Sequence, residues 1–318
     1  MWNPHHFDII HRGYSIIEKT FEDNYLSDVK EDDIRTQMPH ILEILLIDRT
    51  MSTTEKTRNI IWANDNYIKY DSISYAATAQ IKPELITGRR GSLIMPRALK
   101  SAVLQKKRTR SKAEVFTPTW VVKKQNDVID AEYNDDDLET YTRRTWLEIT
   151  CGEAPYMATR YDMSTGDFIK ISERVGFLDR KIARINREIS DKAEWQRLVE
   201  LAYKSSYGFE WNGDSLLIAR ENLLYTYRDY YMVKWGEPPI YGLFEDIAKI
   251  ISYNVFQMDG LTYTIPLSEK REKVQQYQIS MFELKGPEKE EWKIVPGKRV
   301  RIMNWDENKM EFFDRGIK

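Results

Sequence analysis

Between residues 145 and 259 apolar strand-like runs alternate with helical stretches, and this alternation constrains the fold more than any other feature. TWLEIT (145–150) reads as a buried strand ending at Cys151-Gly152, SYGFEW (206–211) as a second, and YNVFQM as a third that ends at Asp259. Helical spacing predicts helices near 177–189, 192–204 and 243–251. A longer amphipathic helix is predicted over DSLLIARENLLYTYRDYY, with Leu216, Ala219, Leu223 and Tyr227 on one face. Such alternation predicts an α/β fold with a mostly parallel, doubly wound sheet, because parallel strands need long crossovers that helices fill.

The flanks differ in character. From Ile16 to Asp48 the apolar spacing predicts packed helices, and residues 57–80 mix β-branched, aromatic and turn residues into short strands and turns, with the fold type open. Lys82, Arg89, Arg90, Arg97, Lys100, Lys106, Lys107, Arg108, Arg110 and Lys112 face the single acid Glu84, and an acidic loop, NDVIDAEYNDDDLE, follows. The division expected is therefore an N-terminal helical and mixed subdomain (1–112) ending in this basic stretch, an α/β domain (113–265) with a helical insertion near 160–205, and a C-terminal part (266–318). That last part comprises a polar linker from Ser268 to Glu291 and a hairpin turning at Asp306 to Lys309.

Composition excludes several classes. A formal net charge of −2 gives no global field for nucleic acid, so any such signal is local. One cysteine, Cys151, allows no internal disulfide, and four histidines confined to the first forty residues offer no zinc spacing, so no metal is expected. MWNPHHFDIIHRGYS lacks a signal-peptide pattern and no apolar run reaches the ~18 residues of a membrane span, so the expectation is a cytoplasmic protein.

In an open α/β sheet, ligands sit outside the carboxyl ends of the strands. Here those ends carry a glycine (Gly152) and two acids (Glu210 and Asp259). A glycine permits a sharp turn beside a ligand, and a strand-end acid can accept from ribose hydroxyls. Four segments in order, AEVFTPTWVV (113–122), LEITCGEAPYM (147–157), YGFEWNGDSLLIARENLL (207–224) and IISYNVFQMDGL (250–261), resemble adenine-N6 DNA methyltransferases, in particular modification subunits of restriction-modification systems.

The resemblance implies a class I methyltransferase core that binds S-adenosylmethionine (SAM). Its expected contacts are Phe116, Thr117, Pro118, Glu148, Thr150, Cys151, Gly152, Glu210, Trp211 and Asp259, with Phe116 and Pro118 at the methionine end, Glu210 on ribose and Asp259 on adenine. It further implies DNA as partner, with Arg89, Arg90, Lys106, Lys107, Arg108 and Arg110 on phosphates.

The departures are as informative. Gly152 is followed by Glu153-Ala154-Pro155 instead of the family's Gly-x-Gly. The Asn-Pro-Pro-Tyr type of tetrapeptide, which in the family grips a flipped adenine, is missing. The only Pro-Pro, Pro238-Pro239, precedes the third strand in a loop between helices, and Asn304-Trp305 reads as a hairpin residue pair. The chain's own catalytic residues are therefore unknown, and a second methyltransferase or specificity polypeptide is the expected source of the tetrapeptide. A catalytically inactive SAM-binding scaffold or regulator is the alternative. In the polar tail, Gln278-Ile279-Ser280-Met281-Phe282 resembles the peptide motif by which bacterial replication and repair proteins bind the sliding clamp.

Overall fold

The computed structural model describes residue 29 and residues 31–100, 117–273 and 292–315. Phe116, Lys106, Lys107, Arg108, Arg110 and the pentapeptide Gln278 to Phe282 lie outside these residues.

Two short helices open the described chain, α1 (Glu31–Gln37) and α2 (Pro39–Leu46). Ile41, Leu42, Ile44, Leu45 and Leu46 of α2 are buried, so its apolar run is a core element. Residues 47–81 form turns and two isolated antiparallel bridges, Ile47 with Asn59 and Ile61 with Gln80, in place of regular strands. Next comes α3 (Pro83–Ile86), followed by a turn of 3₁₀-helix at Gly88–Arg90. The segments α4 (Thr119–Asp130) and α5 (Leu138–Arg143) lead to the sheet, with the Asp137 side chain capping α5 through the Thr140 N–H at 3.0 Å.

The three expected strands are present as β1 (Trp146–Glu148), β2 (Ser206–Glu210) and β3 (Val255–Gln257). They pair in parallel in the order β1-β2-β3, with Glu148 opposite Gly208 and Glu210 opposite Gln257. The crossovers are α6 (Phe177–Glu188) with α7 (Lys192–Lys204), then α8 (Gly213–Trp235) with α9 (Tyr241–Asn254). Both crossovers step in the same direction. The fold is thus mixed α/β around a small parallel sheet that, among the described residues, winds one way and contains no point where the strand order reverses.

Pleating assigns the faces, because alternate residues of a strand point to opposite sides. Trp146 and Val255 belong to the larger core with the crossover helices, where Trp146 stacks on Phe177 at 5.0 Å between ring centroids. The same core includes Ile41, Ile60 and Trp62, so the N-terminal residues and the sheet region pack around one interior. Tyr207, Phe209 and Phe256 face the other way, onto Val300 and Ile302 of the C-terminal region. There β6 (Arg301–Asn304) and β7 (Lys309–Phe312) form the expected hairpin. Before it, β4 (Lys270–Lys273) pairs antiparallel with β5 (Trp292–Val295), so the two ends of the expected linker are joined as a ladder.

The expectation for α8 is corrected. Leu216, Ala219, Leu223 and Tyr227 are buried as expected, but so is every other residue from Gly213 to Tyr231. The polar side of the helix faces protein. Arg220 donates to the carbonyls of Leu45 (2.6 Å), Val255 (2.8 Å) and Ile47 (3.0 Å), while Asn222 donates to the Glu153 carbonyl at 3.0 Å. Arg220 and Asn222 are thus satisfied by backbone carbonyls, which offsets the cost of burying them. The helix ends at Gly236, in the left-handed conformation at φ 69°, and Pro238-Pro239 bars its continuation. Among the described residues no helix is long and apolar enough to cross a membrane.

Candidate functional site at the strand ends

The carboxyl ends of β1 and β2 converge through one carboxylate. Glu210 Oε2 accepts from the Gly152 N–H at 2.9 Å, and its Oε1 accepts from the Asn212 backbone (3.0 Å) and side-chain amide (3.1 Å). These bonds tie the loop after β1 to the turn after β2. In that loop Thr150, Gly152 and Ala154 all have positive φ, at 47°, 55° and 63°. Glycine adopts this conformation freely, whereas each of the other two carries about 1–2 kcal/mol of steric cost. The same loop continues the ladder through the Cys151 N–H to the Phe209 carbonyl at 2.8 Å.

Glu148 is the second buried carboxylate. Its oxygens accept from the Tyr156 N–H (3.2 Å) and the Met157 N–H (2.9 Å). Burial pushes its pKa up to about 8, with those two bonds opposing and the nearby Glu210 adding to the rise. Glu210 is raised for the same leading reason, against bonds that favour its charge. Cys151 is buried beside both acids, and burial followed by their charges holds its thiol well above the usual range. It is therefore no nucleophile, since the thiolate is the reactive form.

Asp259 lies just beyond β3 and closes a tight turn, accepting from the Leu261 N–H at 2.8 Å while its own N–H donates to the Thr264 carbonyl at 2.8 Å. Trp211 points to the N-terminal part of the chain, its indole N–H donating to the Ala63 carbonyl at 2.8 Å. Thr117 and Pro118 are half-buried at the start of α4. That helix lies along the loop after β1: the Asn126 amide donates to the carbonyls of Tyr156 (3.1 Å) and Val175 (3.0 Å), and Thr119 donates to Asp162 at 2.7 Å. The structure thus brings Glu148, Thr150, Cys151, Gly152 and Glu210 together, with Trp211 just after β2 and Asp259 just after the neighbouring β3.

Residues 61–64 border this region, and the sequence reading missed them. The Gln257 side chain accepts from the Ile61 N–H (2.9 Å) and donates to the carbonyls of Ile61 (2.8 Å) and Trp211 (2.8 Å). Asn64 donates to Asp214 at 3.0 Å, and the Gly213 N–H to the Trp62 carbonyl at 3.1 Å. A Cβ at Gly213 would lie 2.1 Å from the Ile61 carbonyl oxygen, so this approach requires glycine. A polar Gln at the end of an apolar strand was the available signal.

Two further expectations meet the geometry differently. Arg89 is exposed, but the neighbouring Arg90 is committed to protein: its guanidinium lies over Tyr70 and Tyr75, 5.1 and 4.9 Å from the ring centroids, and donates to the Tyr75 hydroxyl. Arg90 therefore has a structural role beside whatever phosphate contact it makes. Asn304 sits at the opposite end of the sheet, where the Tyr207 hydroxyl donates to the Met303 carbonyl at 3.2 Å, and its side chain accepts from the Glu307 N–H at 3.1 Å within the hairpin turn. Pro238-Pro239 lies between α8 and α9. Among the described residues no group of three His, Cys, Asp or Glu side chains could hold a metal ion. The chain matches no family model, no curated protein and no solved structure.

Proposed function

We propose that this chain is the SAM-binding subunit of a DNA adenine-N6 methyltransferase of a restriction-modification or phage-defence system, built on a class I methyltransferase core. The observation that carries this reading is the contact between Gly152 and Glu210, a glycine turn and an acid at the ends of adjacent parallel strands. A carboxylate has about four lone-pair directions. In Glu210 donors from Gly152 and Asn212 already occupy most of them, so a ribose hydroxyl would bind by displacing the Gly152 N–H. The positive-φ loop supports the same reading, since strain of this kind concentrates at binding sites.

A partner polypeptide would supply the tetrapeptide that holds a flipped adenine. The one-way sheet is consistent with that: it ends at β1, where Leu147 and Ile149 are 37% and 66% exposed. DNA would be met by Arg89 and the basic residues that follow it, and a bacterial sliding clamp by Gln278 to Phe282. The missing tetrapeptide also fits the alternative, an inactive SAM-binding scaffold or regulator.

Calorimetry with SAM tests the cofactor. Each lost charge-assisted hydrogen bond is worth about 1.5–3 kcal/mol, so Glu210→Ala should weaken binding by roughly ten- to a hundredfold. Absence of wild-type binding at millimolar SAM would refute the reading. The purified chain alone should transfer no labelled methyl group from SAM to duplex DNA. Turnover without a partner would show that the chain carries its own base-gripping residues; SAM binding with no turnover even alongside co-purifying proteins would favour the scaffold.

A further inference from the structure

A cavity of 790 Å³ opens beside α6, away from the strand ends, and four arginines line it: Arg174, Arg180, Arg184 and Arg187. Asp130 is the only acid in its lining. Two of the arginines are already engaged. Arg180 donates to Asp127 (2.6 Å), Asp130 (2.9 Å) and the Val175 carbonyl (3.0 Å); Arg184 donates to Glu188 (2.8 Å) and the Asp136 carbonyl (2.8 Å). They give the wall rigidity.

The other two have donors to spare. Arg174 is fully buried; its Nη2 donates to Asp229 at 2.6 Å and its Nε to the Ile169 carbonyl at 3.2 Å, but its Nη1 has no hydrogen-bond partner. A buried cationic N–H without an acceptor is unfavourable, and an anion in the cavity would offset that cost. The exposed Arg187 guanidinium makes no ion pair or hydrogen bond among the described residues. The Ser172 hydroxyl, exposed on the same lining, is a further donor. Planar guanidiniums with free N–H groups match the oxygens of a phosphate, and the ring of Tyr133 adds an apolar wall.

We propose that this cavity binds a phosphate ester, with Arg174 and Arg187 as its cationic donors. The proposal is independent of the cofactor reading, because none of these residues belongs to the strand-end site. The same chemistry could be presented by a small ligand or by a nucleic-acid backbone, so the test has both arms: calorimetry of the full chain with pyrophosphate, with a mononucleotide, and with a duplex of about 20 base pairs.

Two surface variants that leave the core intact report on the cavity. Arg187→Ala should weaken binding by about tenfold through loss of a charge-assisted bond. Ser172→Asp, which introduces a negative charge into the lining, should reduce it below detection. Binding of the mononucleotide with this response assigns a small phosphate ester; binding of duplex alone with the same response assigns nucleic-acid phosphate; binding of pyrophosphate alone, which has no ester bond, overturns the ester assignment. No binding by any of the three probes, or binding that neither variant alters, overturns the proposal.

Discussion

Replacing Asp229 with asparagine should lower the free energy of unfolding by about 3–5 kcal/mol, the typical cost of removing one partner from a buried ion pair. Asp229 accepts from Arg174 Nη2 at 2.6 Å and from Arg160 Nε at 3.3 Å, and both guanidiniums are out of solvent. Burial alone would raise the pKa of this carboxyl, but Arg174, Arg160 and Arg228 reverse the effect and hold it below the usual range. The asparagine variant retains the shape and some hydrogen bonding, yet leaves two interior cations without their counter-charge. Urea denaturation of the two proteins at pH 7 measures the difference. A loss under about 1 kcal/mol, the range of a surface pair, would mean that water reaches the cluster and screens it.

The consequence extends to the strand ends. Arg160 and Arg174 lie on the segment between the loop after β1 and α6, and Asp229 lies on α8, so the ion cluster fastens that segment to the helix. Asn222 continues the connection, donating to the Tyr161 hydroxyl at 3.0 Å, which in turn donates to Glu153 at 2.7 Å. The positive-φ loop is thus braced from behind by α8.

Glu148 should make stability fall as pH rises across the neutral range. Its folded pKa of about 8 lies above the ordinary value of 4.5, so the folded state holds the proton more tightly than the unfolded chain does. The stability it contributes is complete below the unfolded pKa, drains as pH rises, and is lost once pH passes the folded pKa. The slope is about 1.4 kcal/mol per pH unit for one proton.

Glu148→Gln has no proton to lose and keeps one carbonyl acceptor for the two N–H groups of Tyr156 and Met157. It should be less stable than wild type near pH 5, by about 1 kcal/mol for one weakened hydrogen bond, and more stable above pH 8. Comparing the two proteins removes the contribution of Asp48, whose pKa burial also raises, to about 6. Denaturation at pH 5, 6.5 and 8 reads the crossing; parallel curves would mean that Glu148 ionises as freely in the folded protein as in the unfolded chain.

The sequence by itself determined the local elements. Three apolar runs, helices after each of the first two, a glycine turn and an acid were legible because hydrophobic periodicity and backbone preference act within a few residues. The C-terminal hairpin was legible for the same reason. Those signals also located Glu148, Gly152 and Glu210 at strand ends, since a parallel sheet puts all its carboxyl ends on one side.

Only the tertiary structure decided what those elements meet. The expected apolar face of α8 left out Arg220, Asn222 and Asp229, because charge normally avoids the interior. They are buried because distant carbonyls and arginines satisfy them, and no local pattern encodes that pairing. The stacking of Arg90 over Tyr70 and Tyr75 was invisible in the sequence. Likewise Gln257 and Gly213 acquire their roles from Ile61, nearly two hundred and about one hundred and fifty residues away in the chain. The single winding direction of the sheet is also a long-range property: strand order depends on which edges pair after the crossovers close, and a strand's own residues carry little information about its neighbours.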